Sequence, residues 1–509
     1  MPLDYRNINT LWTSILVETL QRLGLTTAVI CPGSRSAPLT VAFAQHPKIE
    51  AIPVLDERSA SFFALGIAKR SRLPVVLVCT SGTAGANFYP AVIEGKESKV
   101  PLLILTADRP PFLRHCHAGQ TIDQVKLYGH YPNWQLELAL PTPEMEILRY
   151  LRQNIIQAWE RSLFPTKGPV HINLPFTEPL APIERGRVGE GLKGRESEFF
   201  AAVTSYQQLP VTSYQLPVPS WGQEERGVII AGLGQSLGNP QGYCEAIAQL
   251  SQSLGWVVLA EALSPVRNYH HLFPYLISTY DTILRNRELA AKLAPKMVIQ
   301  IGELPTSKVL RRWLTETEPN RWIVDTTPEN LDPLHGRTIH LRTSVETLGE
   351  LIPPVDEKKT SQYLSLWCSV ERETRRKMDE KMKSMEALFP GKVPWLLSQN
   401  LPPGTPIFIA NSMTVRHGEF FWCPGNRSIV PYFNRGVNGI DGTLSTALGM
   451  AHDSHVPSVL LTGDLALLHD TNGFLLRQHF RGHLTIILLN NHGGGIFEML
   501  PISYFDPPF

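Results

Sequence analysis

The sequence predicts an α/β protein made of three domains, each built on a doubly wound parallel sheet. A chain of 509 residues is too long for one hydrophobic core, and about three domains are expected for this length. Short apolar runs alternate with segments of helical periodicity, a pattern typical of parallel sheets covered by helices. The composition, with 43% hydrophobic residues, supplies enough apolar material for several cores.

The charge balance excludes several classes of partner. The chain has 47 Lys and Arg residues against 46 Asp and Glu residues, so no overall field favours nucleic acid or a membrane surface. No apolar run reaches transmembrane length, and no basic-then-apolar signal stands at the amino terminus. The six cysteines are scattered without a CxxC pair, which is typical of reduced thiols. We therefore expect a cytoplasmic protein that neither binds nucleic acid nor inserts into a membrane.

The first predicted domain covers residues 1–176. Apolar runs predict strands, and regular spacing of apolar residues predicts helices. A long stretch before the last strand is predicted to be irregular. The predicted elements, in chain order, are a helix at 8–24, a strand at 26–30, a helix at 59–69 and strands at 74–79, 100–108 and 168–175.

The middle of the chain predicts a linker, a second domain and a connecting helix. Residues 177–220 are rich in Pro, Gly, Ser and charge, and contain a small tandem duplication, TSYQQLP followed by TSYQLP, so they predict a linker. A second alternating series predicts an α/β domain at 221–352. Its GLGQSLG segment matches a nucleotide-binding fingerprint only loosely, and a structural role is favoured. The charged segment 353–392 predicts a solvated connecting helix, and the third domain covers 393–509.

The strongest chemical signal lies in residues 456–497. VPSVLL predicts a strand ending at Thr462-Gly463-Asp464, FLLRQHF has helical spacing, and LTIILL predicts a buried strand ending at Asn490-Asn491. The strands of such a unit should be parallel, so Asp464 and Asn491 should lie at the same edge of the sheet, where open α/β sheets bind ligands. A carboxylate, an amide oxygen and a carbonyl from the glycine run suit Mg²⁺ held with a diphosphate. The alternative is an ordinary βαβ unit with polar turns.

Seven motifs are spread over nearly the whole chain. They are CPGSRSAPLT (31–40), LDERSASFFALG (55–66), SGTAGANFYPAVIEG (81–95), LTADRPP (105–111), NSMTVR (411–416), NRGVNGIDGTLSTALG (434–449) and GDLALLHD (463–470). Together they resemble the 2-succinyl-5-enolpyruvyl-6-hydroxy-3-cyclohexene-1-carboxylate synthase family of thiamine-diphosphate enzymes. The resemblance implies pyrimidine-binding, central and diphosphate-binding domains, with active sites shared between the subunits of a homodimer or homotetramer. It also implies a reaction in which 2-oxoglutarate is decarboxylated and the resulting four-carbon unit is added to isochorismate, in menaquinone or phylloquinone biosynthesis.

The resemblance implies roles in cofactor binding. Glu57 should hydrogen-bond the aminopyrimidine ring of thiamine diphosphate; the alternative, a helix N-terminal acid favoured by the helix dipole, fits Asp56 better. Ile440 matches the apolar residue that holds the cofactor in its bent shape. Asp464, Asn491 and the Gly493 carbonyl should bind Mg²⁺ or Mn²⁺. The residues expected to line the cofactor are Ser412, Gly463, Leu465, Ile496 and Phe497.

Two substrates with two carboxylates each require several cations, and arginine recognises a carboxylate through two hydrogen bonds. Arg35 and Arg109, beside Ser34, follow predicted strands of the first domain, whereas Arg416 and Arg435 lie in the third. For any one of these arginines alone, a surface ion pair is the favoured interpretation. The presence of four at motif positions favours substrate binding instead. Gln120 matches a position near the reaction intermediate. Together with Glu57 and Ser412, these six residues form the predicted catalytic set.

A further cation and four histidines stand near these motifs. Lys308 fits a basic position that can reach the second substrate, although the family often has Lys-Arg where this chain has Lys308-Val309. His115, His117, His469 and His492 are not assigned catalysis, because the cofactor itself can act as acid and base. No His or Cys residues have zinc-site spacing.

One feature leaves other functions open. The sequence stops at FDPPF, whereas the family continues with more helix and strand, so either the sequence is incomplete or the third domain is short. A true truncation would leave an exposed sheet edge and an uncovered cofactor. One alternative is another thiamine-diphosphate carboligase or decarboxylase, such as a relative of acetolactate synthase; the four arginines argue against it. The other is a non-catalytic protein of this fold that binds a partner; the presence of Glu57, Asp464 and Asn491 argues against it.

Overall fold

The computed structural model describes residues 3–184, 188–201, 203, 221–233, 238–351 and 360–505. These residues contain three sheets flanked by helices, as the sequence predicts. The tandem duplication, most of the GLGQSLG segment and the start of the connecting segment lie outside the described residues. No helix in the described part of the chain is long and apolar enough to cross a membrane.

The first sheet is parallel throughout, because each strand is followed by a helical crossover or a long connection. The elements of this region are α1 Ile8–Leu23, β1 Thr27–Ile30, α2 Ala37–Gln45, β2 Glu50–Pro53, α3 Glu57–Ser71, β3 Val75–Cys79, α4 Ala84–Asn87, α5 Tyr89–Glu97, β4 Leu102–Asp108, β5 Trp134–Glu137, α6 Met145–Leu163, β6 Pro169–Pro175 and α7 Glu196–Phe200. The strand order is β2-β1-β3-β4-β6-β5.

Apolar side chains fill both faces of this sheet. All seven residues of β4 are buried, and its alternate side chains enter two separate clusters, one with Leu103 and Leu105 and the other with Leu102 and Ile104. A strand buried on both faces explains the continuous apolar run in the sequence. The polar loops after β1, β3 and β4 follow neighbouring strands, and this places them at one edge.

The second sheet is also parallel, with the order β12-β11-β10-β7-β8-β9, and its two faces are covered by separate apolar clusters. The elements are β7 Gly227–Ala231, α8 Pro240–Leu254, β8 Val257–Ala260, β9 Leu276–Ile277, α9 Tyr280–Leu284, α10 Arg287–Lys292, β10 Met297–Ile301, α11 Lys308–Thr317, β11 Asn320–Val324, β12 Thr338–Leu341, α12 Val345–Leu351 and α13 Gln362–Ser384. Helix α13 corresponds to the predicted connecting helix.

The third sheet has the order β14-β13-β15-β16. Its region contains α14 Lys392–Asn400, β13 Pro406–Ile409, α15 Met413–Phe421, β14 Val430–Tyr432, α16 Thr443–Ala451, β15 Ser458–Gly463, α17 Asp464–His469 and β16 Leu484–Leu489.

The chain divides into two compact units. The first contains the whole first sheet, residues 434–460 and residues 464–486. The second contains the second sheet, β13, β14, residues 461–463 and the described residues after 486.

Within the first unit, helices α3 and α16 cross at very short range. A Cβ atom built on Gly66 would lie 2.1 Å from the Thr446 carbonyl oxygen, and one on Gly449 would lie 2.0 Å from the Phe63 carbonyl oxygen. Any side chain at either position would therefore force the helices apart. Helix α3 begins at Glu57, so this crossing also restricts where that residue lies.

Four local predictions are wrong. The stretch predicted to be irregular before β6 contains β5 and the 19-residue helix α6. The first five residues of FLLRQHF belong to a 3-10 helix at Thr471–Gln478, and Asp464 starts α17 instead of lying in a turn. LTIILL forms the edge strand β16 and is partly exposed, not buried, because its sheet has no strand on that side within the described residues.

Candidate active site

Two arginines lie at the carboxyl edge of the first sheet. Arg35 follows β1, and its Nη1 donates to the Phe176 carbonyl at 3.0 Å and lies 3.6 Å from the Glu178 carboxylate. Arg109 follows β4 directly and donates from Nη1 to the hydroxyl of Ser81. Burial and the neighbouring Arg109 charge lower the pKa of Arg35, so the two guanidinium groups are close enough to repel each other. Such a pair attracts an anionic ligand.

Ser81 links Arg109 to a second candidate residue. Its carbonyl accepts a hydrogen bond from the Gln120 side-chain amide at 2.9 Å. The next residue, Gly82, donates its N–H to Gln124 Oε1 at 2.9 Å. Gln120 itself has a left-handed backbone conformation, with φ of 57°, which is uncommon outside glycine and asparagine. Arg109, Ser81 and Gln120 are therefore held together at the end of β3.

Ser81 is buried and was not predicted as a site residue. It is the first residue of the quoted 81–95 motif and follows β3 closely, so its position after a strand was the available signal.

Asp108 binds the backbone of Arg109. Its Oδ1 accepts the Arg109 N–H at 2.7 Å, while its Oδ2 accepts from Arg114 at 2.8 Å and from Asn173 at 2.9 Å. Burial lowers the pKa of Arg114, but Glu137 and Asp108 outweigh that effect and raise it overall. The buried Asp108 carboxylate is thus paired mainly with Arg114, and the Arg109 side chain points to Ser81.

Glu57 is the first residue of α3 and is half-buried. The residue that caps this helix is Asp56, whose carboxylate accepts from the Ser59 N–H at 2.8 Å and from Asn472 at 2.9 Å. Burial raises the pKa of Asp56, but these hydrogen bonds hold it below its usual value. Burial raises the pKa of the Cys79 thiol, and the Glu57 charge raises it further. Glu57 therefore lies near the buried Cys79 at the end of β3, whereas Asp56 has the capping role.

Ser34 lies in the loop between β1 and α2, and its side chain is exposed. Arg435 and Ile440 lie in the loop before α16, and both are half-buried. The Ile440 carbonyl accepts from the Thr443 hydroxyl at 2.7 Å, which joins the loop to the first turn of the helix.

In the second unit, Ser412 and Arg416 lie at the start of α15. Ser412 has φ of 65° and ψ of −130°, a strained conformation for a residue with a side chain, and such strain is concentrated at functional sites. Its carbonyl accepts from Arg416 Nη1 at 2.5 Å. Burial lowers the pKa of Arg416. The strained turn thus holds a partly desolvated guanidinium at the helix start.

The end of β15 is adjacent to this turn and to β16. A Cβ atom built on Gly463 would lie 3.7 Å from Thr414 Oγ1 and 4.0 Å from the Leu489 carbonyl oxygen. After β16, Gly493 and Gly494 have φ of 89° and 66°, in the left-handed region that favours glycine and in which successive N–H groups can form an anion-binding turn. This backbone suits contact with a diphosphate.

The predicted metal ligands are oxygen donors at strand ends. Asp464 is the first residue of α17, directly after β15, and is half-buried. Asn491 follows β16 and is exposed. In the described residues no three His, Cys, Asp or Glu side chains form a group that could hold a metal ion. A metal here would need the mixed carboxylate, amide and carbonyl set, and hard oxygen donors of that kind fit Mg²⁺.

The other predicted residues are placed as follows. Lys308 is the exposed first residue of α11, and Leu465 and Phe497 are 44% and 46% exposed. Ile496 is half-buried. Arg35, Arg109 and Gln120 are grouped in the first unit, and Ser412, Arg416 and Gly463 in the second. That all the predicted residues form one active site stays a prediction.

The chain is similar to thiamine pyrophosphate enzymes, whose cofactor is also called thiamine diphosphate. Residues 12–127 match the family model described as "Thiamine pyrophosphate enzyme, N-terminal TPP binding domain". Residues 201–400 match the model described as "Middle domain of thiamine pyrophosphate".

Full-length relatives carry a more specific name. Three proteins named 2-succinyl-5-enolpyruvyl-6-hydroxy-3-cyclohexene-1-carboxylate synthase align with the whole chain. That of Gloeothece citriformis is 65% identical, with 100% of this chain and 88% of the relative covered. That of Trichormus variabilis is 62% identical, with 100% and 88% covered. That of Microcystis aeruginosa is 60% identical, with 100% and 89% covered.

Proposed function

The chain belongs to the 2-succinyl-5-enolpyruvyl-6-hydroxy-3-cyclohexene-1-carboxylate synthase family of thiamine-diphosphate enzymes, and we propose that it joins 2-oxoglutarate to isochorismate. The observation that carries this proposal is the pair Arg35 and Arg109 at the carboxyl edge of the first sheet. Two neighbouring guanidinium groups suit dicarboxylic substrates, whereas a small monocarboxylic 2-oxo acid does not need them.

The residues present suit thiamine diphosphate. When bound, it supplies the electron sink for decarboxylation of a 2-oxo acid. The half-buried Glu57 would hydrogen-bond a nitrogen of the aminopyrimidine ring and exchange a proton with it. Ile440 would support the bent shape of the cofactor. Ser412, Gly463, Leu465, Ile496 and Phe497 would line it.

A divalent cation would be held by Asp464, Asn491 and the carbonyl oxygen of Gly493. These are hard oxygen donors, so Mg²⁺ or Mn²⁺ is the ion of choice. The N–H groups of the glycine run would then contact the diphosphate oxygens.

Substrate recognition would depend on the arginines. Arg109, held by Ser81, and Arg35 would bind a substrate carboxylate, with Gln120 and Ser34 nearby. Arg416 and Arg435 would bind further carboxylates, and Lys308 would reach the second substrate. Because guanidinium groups recognise carboxylates through two parallel hydrogen bonds, they would also orient the reacting carbon atoms.

The assembly and location of the protein are part of the proposal. We propose a homodimer or homotetramer in the cytoplasm, with active sites completed by a second subunit. The proposed domains are residues 1–176 for the pyrimidine ring, 221–352 in the centre and 393–509 for the diphosphate, joined by 177–220 and 353–392.

The test is consumption of isochorismate, followed by absorbance. Thiamine diphosphate, Mg²⁺ and 2-oxoglutarate are each omitted in turn from the complete mixture. We expect isochorismate to disappear only when all three are present. Turnover of pyruvate but not of 2-oxoglutarate would instead support another carboligase. Binding of thiamine diphosphate without turnover of either acid would support a non-catalytic role.

A further inference from the structure

A buried glutamate holds the loop that carries Arg435 and Ile440. Glu94, on α5, is 2% exposed. Its Oε1 accepts the Gly436 N–H at 3.0 Å, and its Oε2 accepts the Val437 N–H at 2.8 Å. Both carboxylate oxygens therefore bind consecutive backbone donors of the loop, and all of these residues belong to the first unit.

The loop is shaped to admit this carboxylate. A Cβ atom built on Gly436 would lie 2.9 Å from Glu94 Oε2, 2.8 Å from Ser98 Oγ and 2.9 Å from Glu97 Cβ. No side chain fits between the loop and α5 without displacing one of them. Glycine at this position is thus required by the close approach of the two segments.

Two further side chains, a hydroxyl and an ammonium group, contact the Glu94 carboxylate. The Ser98 hydroxyl donates to Glu94 Oε1 at 2.5 Å, and Lys69 Nζ lies 3.5 Å from the same oxygen. A buried carboxylate is costly unless it is paired and hydrogen-bonded, and here a cation, a hydroxyl and two N–H groups surround it. Each carboxylate oxygen thus accepts from one loop N–H group, and the hydroxyl and the cation both lie at Oε1.

We propose that Glu94 is a positioning residue of the active site, which fixes the backbone beside Arg435 so that its guanidinium group meets a substrate carboxylate. This inference rests on the proposed function, in which Arg435 binds substrate. The side chain of Arg435 leaves the backbone one residue before the Gly436 N–H. A shift of that peptide would move the guanidinium group with it.

The informative substitution is Glu94→Gln. Glutamine has nearly the same shape, but its NH₂ group would face one of the two loop N–H groups, so at least one hydrogen bond is lost. The matched control is Glu97→Gln. Glu97 lies on the same helix and is exposed, and its substitution removes the same charge. The midpoint of thermal unfolding identifies any variant that fails to fold.

The first measurement is hydrogen–deuterium exchange of peptides covering residues 434–442, made without substrate. Loss of one charged hydrogen bond should speed exchange of the Gly436 and Val437 amides about tenfold in Glu94→Gln and not in Glu97→Gln. Exchange equal to that of the native chain would overturn the inference, because Glu94 would then not hold the loop. This readout does not depend on turnover.

The second measurement is the kinetics of the isochorismate reaction. Glu94→Gln should lower kcat/KM about 10- to 100-fold, because small misplacements of an orienting group have effects of that size. In an Arg435→Ala background the same substitution should have little further effect. A full additional loss in that background would show that Glu94 does not act through Arg435. If the native chain does not consume isochorismate, the proposed function fails, and the exchange data still decide whether Glu94 holds the loop.

Discussion

A charged pair buried in the second unit allows a quantitative prediction. Glu419 lies on α15, the helix that also carries Arg416, and is 2% exposed. Its Oε1 accepts from Arg267 Nη2 at 3.1 Å and from the Tyr280 hydroxyl, and its Oε2 accepts from the Ala262 N–H at 2.8 Å. Arg267 is wholly buried. The pair thus joins α15 to the segment that follows β8.

Removing the glutamate and neutralising it should have different effects. Glu419→Ala leaves Arg267 buried without its carboxylate, which costs about 3–5 kcal/mol in the free energy of unfolding. Glu419→Gln keeps an acceptor for Arg267 and fills the same space. The glutamine NH₂ group must face one of the N–H donors that Glu419 now accepts, so the glutamine variant should be less stable than the native chain at pH 5 but more stable than the alanine variant.

The pH dependence gives the sign of the effect. Burial raises the pKa of Glu419 to about 7, against the opposing effect of Arg267 and with help from the Glu261 charge. An acid whose pKa is higher when folded than when unfolded binds more protons in the native state, so the native chain loses stability as the pH rises from about 4.5 to about 7. The loss corresponds to about 3 kcal/mol. Glutamine does not titrate, so the stability of the glutamine variant should rise relative to that of the native chain over this pH range.

The assay is the midpoint of thermal unfolding by calorimetry at pH 5, 6, 7 and 8 for the native chain and both variants. Other titrating groups are common to all three proteins and cancel in the differences. We expect Glu419→Ala to unfold at a lower temperature than the native chain at every pH. The midpoint of Glu419→Gln should rise relative to that of the native chain between pH 5 and pH 7. A difference between the native and glutamine chains that does not change with pH would refute the raised pKa. An alanine variant as stable as the glutamine variant would refute the role of the pair.

Two predictions concern the proposed cofactor site. Glu57→Gln should lower the rate of isochorismate consumption at least about 100-fold while leaving thiamine-diphosphate binding nearly unchanged, because only proton handling is lost; unchanged turnover would remove Glu57 from the mechanism. Asp464→Ala should weaken Mg²⁺-dependent binding of thiamine diphosphate, measured by calorimetry, at least about tenfold, because loss of an outer-shell partner alone costs about 10- to 100-fold. Asp453→Ala, at an exposed aspartate, is the control; equal affinities in both variants would contradict the metal assignment.

The strands that are buried on both faces were predictable, because they appear in the sequence as continuous apolar runs. β4 is the clearest case, since all of its residues are buried. Helix α6 was missed although its buried residues Leu148, Leu151 and Ile155 recur at helical spacing. It follows a long loop and the short, half-buried strand β5, neither of which has a continuous apolar run. The exposure of β16 could not be predicted, because an apolar run does not reveal whether a strand lies at the edge of its sheet.

The candidate site was predictable as a set of residues and not as an arrangement. Arg35 and Arg109 stand out as arginines after strands, but their closeness depends on the order β1-β3-β4, in which β2 pairs outside β1. The sequence identifies the strand ends without stating which strands are neighbours. Glu94 was missed for a related reason: its partners on the loop are more than 300 residues away, and no local pattern marks a buried acceptor.

The glycines of the motifs also determine how closely two helices can approach each other. Gly66 and Gly449 allow α3 and α16 to approach until each meets the backbone of the other. Helix α3 begins at Glu57, and α16 follows the loop of Arg435 and Ile440, so one helix crossing restricts the starting points of both. Glu94 holds the middle of the same loop through its backbone. The crossing and the carboxylate both act on the chain that follows Arg435, so a change at either should displace that residue without altering any group that contacts substrate.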